Sequence, residues 1–284
     1  MNVWSSGAFF RKRRKATTPR NFKQPAITSC VVLIRTNTTK RIVKSIVPPQ
    51  YRWKLRVWAA RAAHAGTRRY CPCCDSHVRG FGAFGERMRP EALCPVCGSL
   101  ERHRLVSIFL RNRHDLLRKT KRILHVAPEP PVANVFQECA QESYVSMDIR
   151  QSAMMRADIT GMPFRSQTFD GLCCIHVLEH IPDDQQAIRE LHRVLRPGGW
   201  AVLQVPIERD VTFEDPTITN PNLRRRLFGQ PDHVRVYGRD FKDRLAAARF
   251  SVSVERPQRR LDRNVVARCG LKTVEDIFLC RKMR

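Results

Sequence analysis

Short apolar runs alternate with amphipathic segments from residue 121 onward, and this alternation constrains the fold more than any other feature. We predict strands at residues 123–127, 144–148, 156–159, 171–175, 201–205, 251–255 and 276–280. Predicted helices at 132–140, 184–195 and 240–249 lie between them. Strands that alternate with helices form parallel sheets with crossover helices. The sequence therefore predicts a doubly wound α/β domain.

Polar side chains stand at the ends of three predicted strands. Asp148 ends the second strand, Asp158 lies in the end of the third, and His176 follows the fourth. Ligands of open α/β sheets bind outside the carboxyl ends of the strands, where Asp148 is placed to accept from both hydroxyls of a ribose. Asp158 is placed to accept from an exocyclic amine such as that of adenine. Each residue could instead cap a helix, begin a turn or be a satisfied histidine, but three at successive strand ends favour a nucleoside site.

Two C-x-x-C pairs precede this region. Nineteen residues separate Cys71 and Cys74 from Cys94 and Cys97, a spacing typical of a zinc ribbon. Four thiolates give a closed tetrahedral site, so the predicted zinc is structural. The alternative is a set of buried cysteines without metal. Cys73 could replace Cys74 as a ligand or point away.

Residues 101–120 follow the second cysteine pair and show helical periodicity. Leu105, Ile108 and Phe109 fall near one face and arginines on the other. We predict a connector helix that packs the cysteine-containing module onto the domain that follows. His103, early in this helix, is a weaker metal-ligand candidate. The predicted organisation is an extension at 1–69, a ribbon at 70–100, the connector at 101–120 and the α/β domain at 121–284.

The positive charge is concentrated in the first quarter of the chain. Residues 1–69 contain 17 Lys and Arg and no acidic residue, whereas the remainder contains 35 Lys and Arg against 26 Asp and Glu. A basic segment without acids is typical of a targeting peptide, a nucleic-acid-binding arm, or translated sequence upstream of the true start. A solvated, disordered extension without a specific role is equally consistent with this composition.

The cysteine count and the absence of long apolar runs indicate the cellular compartment in which the protein is expected. The chain has 11 cysteines, an odd number, and its N-terminus places an apolar stretch before the charged one, the reverse of a secretory leader. These features favour a reducing, cytoplasmic location over a disulfide framework. No run approaches the roughly 18 apolar residues that a membrane helix needs. We therefore expect no membrane partner.

Four motifs in order resemble the central signature of class I S-adenosylmethionine-dependent methyltransferases, type 11-like. They are A-D-I-T-G-M-P-F at 157–164, F-D at 169–170, H-V-L-E-H-I at 176–181 and L-R-P-G-G at 195–199. The likeness covers about residues 121–282. The segment C-P-V-C-G-S-L-E-R-H-R-L at 94–105 resembles the zinc-ribbon leader of one branch of these enzymes. The resemblance implies a Rossmann-like methyltransferase fold with seven strands, mostly parallel, the last antiparallel to its neighbours.

The resemblance also implies the cofactor and the residues that hold it. S-adenosylmethionine would contact Ala127, Glu129, Asp148, Ile149, Asp158, Ile159 and His176. The family's first motif is glycine-rich, whereas residues 127–131 read A-P-E-P-P. Small Ala127 still allows close approach, and Glu129 is placed to bind the α-amino group of the methionine part. His176 is the candidate catalytic base if the acceptor must lose a proton.

The leading hypothesis is a methyltransferase of unidentified acceptor, which could be a small molecule, a saccharide or a nucleic acid. The alternative is a non-catalytic zinc-ribbon binding protein, possibly binding nucleic acid, with a degenerate methyltransferase domain; the missing glycines are its main support. A nicotinamide dehydrogenase would need G-x-G-x-x-G after the first strand, and that motif is absent. We predict that residues 208–236, together with the ribbon, cover the acceptor side of the cleft.

Overall fold

The computed structural model describes residues 48–86, 88–118, 120–139, 143–150 and 153–284. Its strands are β1 (Ala65–Cys71), β2 (Ser76–Val78), β3 (Gly82–Phe84), β4 (Arg89–Leu93), β5 (Ile123–Val126), β6 (Tyr144–Asp148), β7 (Met155–Arg156), β8 (Phe169–Ile175), β9 (Leu195–Gln204), β10 (Ile207–Arg209), β11 (Phe213–Glu214), β12 (Arg235–Gly238), β13 (Phe250–Glu255) and β14 (Ile277–Lys282). Its α-helices are α1 (Pro49–His64), α2 (Glu101–Asn112), α3 (His114–Leu117), α4 (Pro130–Cys139), α5 (Asp184–Val194), α6 (Pro221–Phe228), α7 (Phe241–Ala247) and α8 (Arg263–Arg268). Short 3-10 turns span Leu178–His180 and Pro257–Arg259.

Seven strands form the central sheet in the order β13-β14-β9-β8-β5-β6-β7. Strands β5 to β9 pair in parallel, and β14 is antiparallel to both of its neighbours. The predicted doubly wound sheet and its one antiparallel strand are confirmed. The strand order reverses at β5. Strand β6 pairs with one edge of β5, and β8, later in the chain, pairs with the other edge. This is the point at which open α/β sheets bind ligands, at the carboxyl ends of their strands.

Each face of the sheet is covered by a separate apolar core, as strand periodicity requires. Leu124 packs with α5 and α7 on one face, while its neighbour Ile123 packs with α2 and α4 on the other. Both residues are fully buried because β5 is a central strand with helices on both sides. The runs of apolar residues that predicted the strands therefore reflect burial on two faces rather than one.

The N-terminal part of the described chain is a helix followed by two hairpins. Helix α1 covers Pro49–His64, inside the range predicted as a disordered extension, whereas residues 1–47 of that range lie outside the described residues. Strands β1 and β2 pair, as do β3 and β4. We call residues 65–100 the cysteine module; it begins five residues before the predicted boundary at 70. No helix in the described ranges has both the length and the apolar character needed to cross a bilayer.

Several element boundaries differ from the predictions. The predicted connector helix is broken at Arg113 into α2 and α3, since that residue leaves helical geometry. The third strand is only Met155–Arg156, so Asp158 lies in the loop beyond it. The Pro-Gly-Gly segment at 197–199 lies within β9 rather than closing the helix, because α5 already ends at Val194.

The predicted binding loop at 208–236 contains regular structure. Strands β10, β12 and β11 form a three-stranded sheet in that order, and α6 lies between β11 and β12. Arg235 anchors this insertion: its guanidinium donates to the Leu178 and Pro182 carbonyl oxygens at 3.0 and 2.8 Å. The insertion is therefore fastened to the chain that follows β8.

A buried arginine joins the cysteine module to the α/β domain. The Arg104 side chain is fully buried and donates to four carbonyl oxygens, those of Ala92 and Ser99 in the module and Cys269 and Gly270 after α8, at 2.6 to 2.9 Å. Multiple hydrogen bonds compensate the cost of burying its charge. Helix α2 thus joins the module to the α/β domain through the hydrogen bonds of Arg104.

Candidate cofactor cleft and metal centre

A cleft opens at the carboxyl ends of β5, β6 and β7. Its empty space is about 320 Å³, including a part open to solvent. The structure brings five predicted cofactor residues into its walls: Ala127, Asp148, Ile149, Asp158 and Ile159. Val177 and Ile181, which follow β8, complete the apolar lining. The remaining two predicted residues, Glu129 and His176, lie outside this lining.

The two acids of the cleft are held in local turns. Asp148 Oδ1 accepts from the Arg150 amide at 2.9 Å. Asp158 Oδ1 accepts from both the amide and the hydroxyl of Thr160, each at 2.8 Å. The turn that could have explained Asp158 without any ligand therefore exists. It uses Oδ1 and fixes the side chain, so that the carboxylate is presented at the cleft without a further ordering cost.

The turn after β5 contains no glycine, and alanine and proline occupy the positions where glycine would be expected. Ala127 has a φ of 46°, a left-handed conformation that favours glycine. Its amide donates to the Met147 carbonyl oxygen at 2.8 Å, which holds the turn against β6. Pro130 begins helix α4, a position where the missing amide hydrogen costs nothing. The prolines therefore start a helix and leave the cleft open.

Glu129 contacts two buried histidines, His103 and His125, outside the cleft lining. One carboxylate oxygen lies 3.2 Å from His125 Nε2 and the other 3.7 Å from His103 Nε2. His125 Nδ1 in turn lies 3.0 Å from the Tyr144 hydroxyl. Burial lowers the pKa of His103 well below its usual value, so this ring is neutral at physiological pH. Glu129 is therefore a rigid carboxylate at the edge of the first turn.

His176 stands at the end of β8 in a strained conformation. Its φ is 51°, and its amide donates to the Gln204 carbonyl oxygen at 2.8 Å. Nδ1 lies 3.0 Å from Glu179 Oε1, while the buried Nε2 has no hydrogen-bond partner among the described residues. Left-handed residues with bulky side chains concentrate at functional sites. The geometry leaves Nε2 as the ring nitrogen available to a ligand.

Several buried polar side chains outside the cleft lining have incomplete hydrogen bonding. The Gln204 amide donates to the Asp276 carbonyl oxygen at 3.3 Å, and the Gln258 amide to the Glu275 carbonyl oxygen at 2.7 Å. Burial raises the pKa of Glu275. Within the described chain, one buried atom in each of several side chains lacks a hydrogen-bond partner: Arg102 Nε, His103 Nε2, Gln204 Oε1, Gln258 Oε1 and Glu275 Oε2. Such atoms are rare in native proteins and point to a polar ligand or water.

The four predicted zinc ligands converge in the cysteine module. Cys71 Sγ lies 3.6 Å from Cys97 Sγ, Cys74 Sγ lies 3.8 Å from Cys94 Sγ, and all four sulfurs lie within 4.8 Å of one another. A tetrahedral zinc site with bonds of about 2.3 Å requires sulfur separations of about 3.8 Å. The arrangement therefore fits a four-thiolate metal site and leaves no open coordination position.

The two C-x-x-C turns have the same backbone form. Asp75 after the first pair and Gly98 after the second both adopt positive φ, 50° and 72°. The Gly98 amide also donates to the Cys94 carbonyl oxygen at 2.9 Å. Cys73 is not one of the four mutually close sulfurs, and its sulfur contacts Ser107 Oγ at 3.3 Å. Cys74, not Cys73, is thus the member of the first pair that faces the other cysteines.

Sequence reasoning gave His103 a weak role as a metal ligand, and the structure places it elsewhere. Its Nδ1 accepts from the Leu100 amide at 3.1 Å, and its Nε2 faces Glu129. A signal was present in the sequence, since His103, Arg104 and Ser107 are polar residues on the apolar face of the connector helix. Buried polar residues at such positions usually have specific partners.

Comparisons with known proteins agree with the motifs. Residues 109–203 match the family described as "Methyltransferase domain". The chain is 27% identical over 134 residues to the chloroplastic 2-methyl-6-phytyl-1,4-hydroquinone methyltransferase 2 of Oryza sativa subsp. japonica, a match over 46% of this chain and 37% of that protein. It is 38% identical over 64 residues to the ubiquinone biosynthesis O-methyltransferase of Pseudomonas paraeruginosa, over 22% of this chain and 25% of that protein.

The chain thus spans well under half the length of these curated relatives. Among solved structures, an S-adenosylmethionine-dependent methyltransferase from Mesorhizobium loti is similar at a TM-score of 0.44 and 16% identity, over 62% of this chain and 96% of that one. The predicted resemblance is confirmed for the segment that runs from α2 through most of β9. Residues 109–203 of this chain match a methyltransferase domain.

Proposed function

We propose that this protein is an S-adenosylmethionine-dependent methyltransferase whose cofactor lies in the cleft at the carboxyl ends of β5 to β8. The observation that carries this proposal is the placement of Asp148 and Asp158 on adjacent strand ends in one cleft. Two carboxylates in the walls of one cleft suit a nucleoside, with ribose hydroxyls at one and an exocyclic amine at the other. The family match over residues 109–203 supports it independently.

The chain's own residues would hold the nucleoside by shape as well as by charge. Ile149, Ile159 and Val177 offer apolar side chains for the faces of a base. Ala127 keeps the first turn small, and Glu129 provides a charge for an ammonium group. The bound cofactor supplies an already activated methyl group, so the protein's task is to position the acceptor and exclude water.

His176 is the proposed base for an acceptor that must lose a proton. Glu179 beside Nδ1 favours the tautomer with hydrogen on Nδ1, which leaves the Nε2 lone pair to accept the proton. This role is a proposal about proton transfer only. No covalent intermediate on the protein is needed for a displacement at a sulfonium methyl group.

The acceptor we propose is a polar molecule bearing hydroxyl groups, such as a small metabolite or a saccharide. Arg102 Nε, Gln204 Oε1 and Glu275 Oε2 lack hydrogen-bond partners in the described structure and would be satisfied by a polar ligand. A nucleic-acid acceptor rests instead on the basic residues 1–69, most of which lie outside the described residues. The unpaired buried polar atoms therefore favour the smaller acceptor.

Calorimetric titration with S-adenosylmethionine and its demethylated product tests cofactor binding. Loss of a charge-assisted hydrogen bond costs about 1.5–3 kcal/mol, so we expect Asp148→Ala and Asp158→Ala to weaken binding by roughly tenfold or more. Asp215→Ala is the matched control, because Asp215 makes the same turn with Thr217 outside the cleft lining. Absence of binding heat in the unmodified protein would instead favour the non-catalytic binding protein.

The acceptor class is tested by incubating the protein and cell extract with isotopically labelled cofactor. We expect label in the small-metabolite or saccharide fraction, and less of it with His176→Ala while cofactor binding is kept. Label in nucleic acid would overturn the proposed acceptor class but not the methyltransferase itself.

The cysteine cluster is proposed to hold one structural zinc ion. Its sulfur separations and closed four-thiolate set support zinc over metals that prefer oxygen ligands. Elemental analysis of the purified protein should give one zinc per chain, lost in Cys94→Ser and retained in Cys73→Ser. Retention of metal in Cys94→Ser would contradict the assignment.

A further inference from the structure

A second group of side chains that could bind a metal lies beside the cleft, at the turn after β8. Glu179 and His180 belong to the turn after β8, and His233 precedes β12 in the insertion. One ligand atom from each of the three residues lies within 4.8 Å of the other two. Val177 and Ile181, which flank the turn, line the cleft. We call Glu179, His180 and His233 the His-Glu cluster.

Two members of this cluster, Glu179 and His233, are buried with incomplete hydrogen bonding. Glu179 is 1% exposed, and neither carboxylate oxygen has a hydrogen-bond partner among the described residues. His233 is 6% exposed, and its Nε2 likewise has none within the described chain. A buried carboxylate and a buried ring nitrogen without partners are costly, and a cation between them would satisfy both.

The nearest side chain, His176, approaches only one of the two carboxylate oxygens of Glu179. His176 Nδ1 lies 3.0 Å from Oε1. Oε2 has no hydrogen-bond partner among the described residues. The buried Arg235 guanidinium is near in sequence to His233 but is committed to carbonyl oxygens and to Glu214 at 2.7 Å. The Arg235 side chain is therefore occupied by other partners, and Glu179 Oε2 is left without one within the described chain.

Both histidines are oriented as metal ligands usually are. His180 Nδ1 lies 3.2 Å from Asp232 Oδ2, and His233 Nδ1 lies 3.0 Å from the Phe228 carbonyl oxygen. With hydrogen on Nδ1 in each ring, the Nε2 lone pairs are left to bind. Carboxylate and carbonyl partners of this kind fix the tautomer and the ring orientation at metal sites.

The backbone holds the two parts of the cluster at a fixed separation. The Val234 amide donates to the Glu179 carbonyl oxygen at 2.9 Å, directly beside His233. The Tyr237 hydroxyl reaches the Leu178 carbonyl oxygen at 3.3 Å. Ligands preorganised on hydrogen-bonded elements bind metal without the cost of ordering a loop.

We propose that the His-Glu cluster binds a first-row divalent transition-metal ion, with Glu179 Oε2 and the Nε2 atoms of His180 and His233 as ligands. Two imidazoles and one carboxylate favour such ions over Mg²⁺ or Ca²⁺ and leave coordination positions open. An oxygen of a polar acceptor, or water, would occupy an open position beside His176. The metal site does not depend on the proposed methyl transfer.

Cobalt(II) titration of the full-length protein, supplied with one equivalent of zinc so that only the cysteine cluster is filled, tests this site without sulfonium donor or acceptor. We expect one equivalent of Co²⁺ to give visible d–d absorption without thiolate-to-cobalt charge-transfer bands, which separates this site from the cysteine cluster. His180→Ala and His233→Ala should each weaken cobalt binding at least about tenfold. His114→Ala, an exposed histidine on α3, is the matched control and should bind as the unmodified protein does.

The outcomes are separable. No cobalt absorption beyond the thiolate type, or equal binding by His180→Ala and the unmodified protein, would overturn the proposal. His180 is partly exposed, so its replacement preserves the fold, and its thermal melting temperature checks this. If His233→Ala unfolds, His180→Ala alone decides the question. Cobalt binding with no cofactor binding would support the metal site and contradict only the proposed methyltransferase.

Discussion

The cysteine module and the α/β domain are held together by different forces. The core of the module consists of Cys71, Cys73, Val78, Phe81 and Cys94, so most of its buried members are thiols. The sheet of the α/β domain separates two large apolar cores. Small modules seldom bury enough apolar surface to fold alone. We therefore expect the module to depend on its proposed metal and on Arg104 for stability, and the domain to depend mainly on its two apolar cores.

Removal of the proposed metal is expected to cause the largest difference in stability between the two regions. Structural zinc sites contribute about 10 kcal/mol or more of folding free energy, so chelation or Cys94→Ser should unfold the module. We expect hydrogen exchange to become fast in β1–β4 and to stay slow in β5, β8 and β9. Cys73→Ser, outside the cluster, is the control. Equal loss of hydrogen-exchange protection in the central sheet would contradict the proposed difference between the two regions.

Replacement of Arg104 tests the junction between the two regions. Arg104→Met leaves four carbonyl oxygens without their donor, and we expect a loss of about 3–5 kcal/mol in unfolding free energy by urea titration. Arg111→Met on the same helix removes only an exposed ion pair with Glu138 and should cost below about 1 kcal/mol. Similar effects of both variants would show that the guanidinium does not dock the module.

The smallest effect is expected for the ion pair between Glu190 and Arg193, which lies within the α/β domain. Glu190 accepts from the Met162 amide at 2.8 Å and from Arg193, which also donates to the Phe164 carbonyl oxygen. The hydrogen bond from Arg193, more than any other contact, lowers the pKa of Glu190. We expect Glu190→Gln to cost about 2 kcal/mol at pH 7, measured by urea titration, without affecting the module.

The sign of the pH dependence follows from that lowered pKa. A carboxylate with a depressed folded-state pKa stabilises the protein above its unfolded pKa of about 4.3, and the contribution is lost as the pH falls below it. The difference between Glu190→Gln and the unmodified protein should therefore shrink on acidification. Glu138→Gln, at a surface pair, should show little difference at either pH. A Glu190→Gln effect that persists in acid would mean that side-chain shape, not charge, matters there.

The sheet and the thiol cluster were predictable from local patterns. Strands such as 123–127 and 171–175 are buried on both faces, so their composition is continuously apolar and distinctive. The cysteine pairs were predictable because two-residue spacing itself dictates the turn. Asp148 and Asp158 followed from strand ends, although β7 is too short to include Asp158.

Other features were not predictable because they depend on contacts distant in sequence. His233 meets Glu179 only after the insertion folds as β10, β12 and β11. Arg104 is buried because it reaches carbonyl oxygens more than 160 residues away. The helix break at Arg113 and the tie between Glu129 and His103 likewise reflect packing rather than local preference. Short strands carry too few residues for any periodicity to be visible.

Helix α2 contacts both the cysteine module and the α/β domain. It begins four residues after Cys97, carries Arg104 at the module junction and presents His103 to Glu129 beside the first turn of the sheet. Loss of the proposed metal would therefore also disturb the start of a helix that contacts Glu129 in the turn after β5. A change at the cysteine cluster would thus be transmitted through this one helix to the neighbourhood of the cleft.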